Sequence, residues 1–167
     1  MNKAKPLLII AILIAIIVII FGSLAQKEQM ITVATGNFKQ EPLPLKLHHL
    51  QDPQCTMIVE NEKYAAQVTA KDGKTWFFDD IGCLILWMEN KNFDTPPLYW
   101  THTIDTNRWI DAKKAFYSRD EATPMLYGFG AYEHKKDNYI TFQEMRLKML
   151  RGENLTNPKI RKKLLGI

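Results

Sequence analysis

Cysteine is scarce in this chain: Cys55 and Cys83 are the only two among 167 residues. They form no Cys-x-x-Cys pair, which leaves a zinc knuckle or a thioredoxin-like redox motif without support. Neither lies near residue 25, so no lipid-attachment cysteine follows the apolar amino-terminal segment. No Ser/His/Asp set or activated nucleophile stands out, and the chain reads as a non-enzyme. Gly128-Phe129-Gly130 is half of a phosphate loop, but no helix follows at the required spacing. Positive charge is also missing where a nucleic-acid face would need it. The net charge of +4 divides into +2 over 1–29, −2 over 30–150 and +4 over 151–167. The basic pI therefore belongs to the two ends, and a nucleic-acid role loses its electrostatic basis.

What the chain does have is a long apolar run. Residues 7–21 are almost pure Leu, Ile, Val and Ala, and the run continues to Ala25. That length approaches the roughly 20 residues of a spanning helix. Lys3 and Lys5 precede it, which predicts a cytoplasmic amino terminus and everything after Ala25 outside. The expectation is a single-pass inner-membrane anchor with the C-terminal domain in the periplasm. Ser23-Leu24-Ala25 also fits a signal-peptide cleavage site, the rival reading. Both place the domain on the extracytoplasmic side. Residues 1–29 thus read as anchor, 30–50 as an extended linker, 51–150 as the folded domain and 151–167 as a basic tail. Gly36, Pro42 and Pro44 break any helical period in the linker. Fully extended, it would reach about 60 Å.

Within the domain the pattern sharpens. Residues 64–70 and 75–78 read as strands joined by a turn at Asp72-Gly73, a pair that tolerates positive φ. Asp79 and Asp80 offer N-caps for a helix to about Asn90, with Ile81, Leu84, Ile85 and Met88 on one apolar face. Cys83 lies beside that stripe and reads as a small buried hydrophobe. Strands follow at 98–104, 114–119 and 125–133, then a helix at 141–150. A strand pair followed by a helix thus occurs twice, which predicts an α+β fold of two ββα-type units sharing one core.

The sharpest chemical constellation is Asp52-Pro53-Gln54-Cys55-Thr56-Met57. Cys55 and Met57 present a thiol and a thioether on one short segment, and soft sulfur donors select copper(I) over hard ions. Met125, in Thr123-Pro124-Met125, is a further soft donor in a loop. His48, His49 and His134 are nearby imidazoles in sequence, so the candidate ligands are Cys55, Met57, Met125, His49 and His134. His102, on a strand, reads as structural. Asp79 and Asp80 read as capping residues, and Asn154-Leu155-Thr156 fits a glycosylation acceptor in the tail.

Several patches together resemble the NosL family. They are Cys55-Thr56-Met57 with Tyr64-Ala65-Ala66-Gln67, the run Phe77-Phe78-Asp79-Asp80-Ile81-Gly82-Cys83, and Trp109-Ile110-Asp111-Ala112-Lys113-Lys114-Ala115-Phe116-Tyr117. Thr123-Pro124-Met125 and Ala131-Tyr132 resemble that family's later segment. The resemblance covers about residues 52–145. It implies an accessory protein that binds Cu(I) outside the cytoplasm for nitrous oxide reductase, beside an associated membrane transporter complex. It also implies Cys55 and Met125 as ligands, with Met57 as the methionine of the family's Cys-Gly-Met motif. Here that motif's glycine is Thr56, and an apolar helix stands where the family commonly carries a lipid anchor. Two other function classes stay in view. One is a Cys-dependent enzyme of organometal-lyase-like type, which needs a second thiol or acid beside Cys55. The other is a metal-free protein–protein adaptor.

Overall fold

The computed structural model describes residues 4–25 and 30–166, and the side chains of 4–8 and 23–25 lie outside what it describes. The architecture is mixed α+β, with four helices and two antiparallel sheets. Helix α1 spans Ala4–Ala25. Strands β1 (Val33–Ala34), β2 (Ala66–Thr69) and β3 (Thr75–Phe78) precede helix α2 (Ile81–Glu89). Strands β4 (Leu98–His102) and β5 (Trp109–Asp111) complete the first sheet, in the order β1-β3-β2-β4-β5. A 3-10 turn at Ala112–Lys114 leads into β6 (Phe116–Tyr117), β7 (Ala131–Tyr132) and β8 (Ile140–Thr141), which form the second sheet in the order β7-β6-β8. Helices α3 (Phe142–Leu150) and α4 (Pro158–Leu165) close the chain.

The hairpin forms where the Asp-Gly pair predicts it. Gly73 sits at φ +85°, and Ala70 and Lys74 close the turn through Ala70 N–H to the Lys74 carbonyl at 2.9 Å. The period of two then sorts the central strands between two cores. Ala66, Val68, Phe78 and Trp76 face the main cluster with α2, α3, Tyr117, Phe129 and Ala131, so both sheets share it. Phe77 faces a second, smaller cluster with Leu50, Val59 and Ala65 on the other side of the first sheet. In α2 the expected stripe is present, but burial extends beyond it. Cys83 and Trp87 are as enclosed as Ile81, Leu84 and Ile85, Cys83 beside the 52–55 loop and Trp87 among Trp76, Phe78 and Phe93. Thr141 starts α3 through a reciprocal capping box with Glu144. Phe142, Met145 and Met149 turn inward, while Leu147 is exposed.

Three expectations need correction. The segment 30–50 is extended but not a free linker. Its Val33–Ala34 pairs with the edge of β3, Ile31 bridges Leu50, and Leu43 and Leu45 pack on the second cluster. The reason lies in β2: Gln67 is fully buried, and its side-chain amide grips Leu43 through both N–H and carbonyl at 2.9 and 2.8 Å. The strand expected over 125–133 shrinks to Ala131–Tyr132, since Leu126 and Gly128 take positive φ and turn the chain. The tail is partly folded: Leu155 is buried, and Asn154 is only 4% exposed, which withdraws it as a glycosylation acceptor.

Among the described residues no helix is long and apolar enough to cross a membrane. Helix α1 is 22 residues long, and its described side chains are those of 9–22. The spanning segment expected over 7–25 falls partly outside the described side chains, and the spanning helix is therefore not shown.

Candidate metal centre

The segment 52–57 is a tight loop built on Asp52. Its carboxylate accepts hydrogen bonds from the Gln54 and Cys55 backbone N–H at 2.7 and 3.2 Å, while its own backbone N–H donates to the Met57 carbonyl at 2.9 Å. The second carboxylate oxygen of Asp52 accepts the Asp79 backbone N–H at 3.2 Å. One buried side chain thus shapes the Cys55 loop and fastens it to the junction between β3 and α2. That junction supplies the rest of the centre. Asp80 caps α2, accepting from Gly82 N–H at 2.8 Å, and Cys83 follows in the first turn.

Asp52, Cys55, Asp79 and Cys83 each bring one ligand atom within 4.8 Å of the other three. Both cysteines are free thiols. The Cys55 Sγ lies 3.6 Å from Asp79 Oδ1, and Asp79 Oδ2 is buried without a hydrogen-bond partner. Cys55 is half-buried, while Asp52, Asp79 and Cys83 are enclosed, so the group opens to the surface on the Cys55 side. Compared with protein-family models, curated proteins and solved structures, the chain matches none.

The electrostatics are those of a centre short of positive charge. Burial pushes the Cys55 thiol up to about 12, and the Asp52 and Asp79 carboxylates beside it push the same way. Burial raises Cys83 too, again with the neighbouring carboxylates. The Asp79 carboxyl is held well above its usual range, first by burial and then by the adjacent Asp52. Asp80 rises to about 6 through burial, against hydrogen bonds from Thr123, Gly82 and Met125. A cation would relieve all of these groups at once.

The five ligands expected from sequence divide. Cys55 is in the group. Met125 packs against the main core, and its backbone N–H reaches Asp80 at 3.3 Å, so its loop docks on the same helix start. Met57 is 43% exposed on the Cys55 loop. His134 is exposed, with its Nδ1 2.9 Å from Asp105, and His49 is exposed beside the Ile31 bridge. Among the described residues no histidine enters the group of four. His102 is buried edge-on against Trp109, as a structural histidine would be.

Asp79 and Cys83 are what the sequence reading passed over. Asp80 alone caps the helix, which frees Asp79 to face Cys55. Cys83 is both core and member of the group. Tyr127 also belongs to the surroundings. Its ring lies across Gly82 so closely that an added Cβ would fall 2.3 Å from it, and burial with the nearby Cys83, Asp80, Cys55 and Asp52 raises its hydroxyl to about 12.

Proposed function

We propose that the protein is an extracytoplasmic Cu(I) metallochaperone, held at the inner membrane by its N-terminal helix, that supplies copper for nitrous oxide reductase beside a membrane transporter complex. The observation that carries the metal-binding part is the half-buried Cys55 thiol with the Cys83 thiol and two carboxylates within 4.8 Å. Two soft sulfurs form a low-coordinate copper(I) site, and Met125 offers a thioether on the adjoining loop. Because Cys55 is partly open, an acceptor's soft donor can attack the cargo and take it by ligand exchange. The copper and the recipient rest on the resemblance to NosL. Position 56 supports that resemblance: Thr56 has φ +65°, the conformation the family motif's glycine adopts freely. For the membrane, support comes from Ile9, Ile10, Ile12, Leu13 and Ile14, each at least half exposed on successive sides of α1.

The test is competition against a copper(I) chelator with reduced wild type, Cys55→Ser and Cys83→Ser. Cys55→Ser should abolish tight binding and Cys83→Ser weaken it. Equal affinity in all three would overturn the assignment.

The enzyme reading has gained one observation, since a second thiol and an acid do stand beside Cys55. Yet a nucleophile needs thiolate, and burial with two carboxylates suppresses it. Turnover of an organometal without prior metal loading would favour the enzyme. Absence of any copper binding would favour an adaptor.

A further inference from the structure

Copper(I) is satisfied by two or three soft donors and gains little from carboxylates. The centre nevertheless holds two of them, Asp52 and Asp79, at 0% and 4% exposure. Among the described residues no Lys, Arg or His is ion-paired with either. Burying carboxylates without a counter-cation is costly, and in folded proteins such groups are paired or bind metal. Asp52 has structural employment through three backbone N–H groups. Asp79 does not: its Oδ2 is buried with no partner at all. That leaves a buried carboxylate oxygen, beside two thiols, available to a cation.

We propose that Asp52, Cys55, Asp79 and Cys83 form a four-coordinate site for a borderline divalent cation, zinc, distinct in ligand set from the copper(I) mode. Zinc accepts thiolate and carboxylate together in a tetrahedron, with Zn–S about 2.3 Å and Zn–O about 2.0–2.2 Å. Such a tetrahedron has edges of about 3.3–3.8 Å. The present atoms lie within 4.8 Å of one another, so a small inward movement of the Cys55 loop completes it. Two protein layers supply the ligands: Asp52 and Cys55 from the loop, Asp79 and Cys83 from the end of β3 and the first turn of α2. Copper(I) uses the sulfurs alone; zinc needs all four residues. The inference shares its cysteines with the copper reading but stands or falls on Asp79.

The experiment titrates the full-length reduced protein with Zn²⁺, and separately with Cu(I), in wild type, Asp79→Asn and Asp79→Glu. Wild type should take one Zn²⁺. Asp79→Asn should lose affinity for zinc by about tenfold or more, the loss seen even for residues that only support a ligand. Its copper(I) affinity should change by less than about threefold, and Asp79→Glu should recover part of the zinc affinity. Co²⁺ in place of Zn²⁺ on the wild type should give the intense visible bands of a tetrahedral ion with thiolate charge transfer. Failure of wild type to bind Zn²⁺, octahedral Co²⁺ spectra, or equal losses of zinc and copper in Asp79→Asn would each overturn the proposal. Zinc binding without copper binding would instead remove the chaperone reading and leave this one standing.

Discussion

Replacing Asp79 by asparagine should stabilise the metal-free, reduced protein at alkaline pH. The side chain is 4% exposed, one of its oxygens has no partner, and Asp52 lies beside it. Burial and Asp52 raise its folded pKa above the unfolded value. The folded state therefore holds more protons than the unfolded one between those two values. It follows that the stabilising contribution is fully present below the unfolded pKa, about 4 for a carboxylate, and is lost as pH rises through the folded one. Asparagine is a neutral near-isostere and does not ionise, and its amide N–H can donate toward Asp52, which an ionised Asp79 repels. A buried, unsatisfied polar group costs about 1–3 kcal/mol, so the variant should gain about that much at pH 8. The gain should shrink steadily toward pH 4. Asp80 is raised to about 6 with the same sign and repels Asp79, so relief of that repulsion is part of the gain expected at pH 8. Urea denaturation of wild type and variant at pH 4, 6 and 8, with a chelator present, measures the difference directly. A variant equal to or less stable than wild type at pH 8 would refute the electrostatic account of this centre. A gain independent of pH would refute its ionic origin.

Gly82→Ala places a methyl group 2.3 Å from the Tyr127 ring, so it should destabilise by about 1–3 kcal/mol despite alanine's better helix propensity; thermal unfolding decides, and an unchanged or raised Tm would contradict the packing. Thr56→Gly removes a β-branched residue from φ +65°, a strain of about 1–2 kcal/mol, against about 0.5–1 kcal/mol of extra chain entropy. The expected net is a gain of up to about 1 kcal/mol by denaturant midpoint, and a clear loss would mean that the Thr56 hydroxyl bond to the Cys55 carbonyl matters more than the strain.

The hairpin, α2 and α3 were legible because each is specified locally. Asp72-Gly73 sets the turn, Asp80 starts one helix, and Thr141 with Glu144 starts another. The segment 30–50 was not, since what orders it is a side chain more than twenty residues away: Gln67 bonding Leu43. In the candidate metal centre, Cys55 announced itself through its neighbour Met57. Asp79 was hidden by Asp80, because two adjacent aspartates before a helix both look like caps, and only one of them can accept from the first-turn N–H groups. A local signal existed in that redundancy. For Cys83 an apolar helical run gives the same pattern whether the thiol packs or binds, and only the approach of the 52–57 loop tells them apart. The absence of Cys-x-x-Cys was no guide to this cluster, since the two thiols come from separate elements.

The docking of 30–50 onto β3 also shortens the leash. Helix α1 ends at Ala25, and the Ile31 carbonyl already accepts the Gln51 backbone N–H of the domain. Six residues span at most about 20 Å, a third of the reach that a free 30–50 segment would have had. With α1 held in the bilayer as proposed, the domain is confined to a shallow layer over the membrane surface. A recipient anchored or docked in the same layer then meets the Cys55 loop at the high effective concentration that a short tether confers, on the order of millimolar. A recipient standing well off the bilayer would have to come down to collect its cargo.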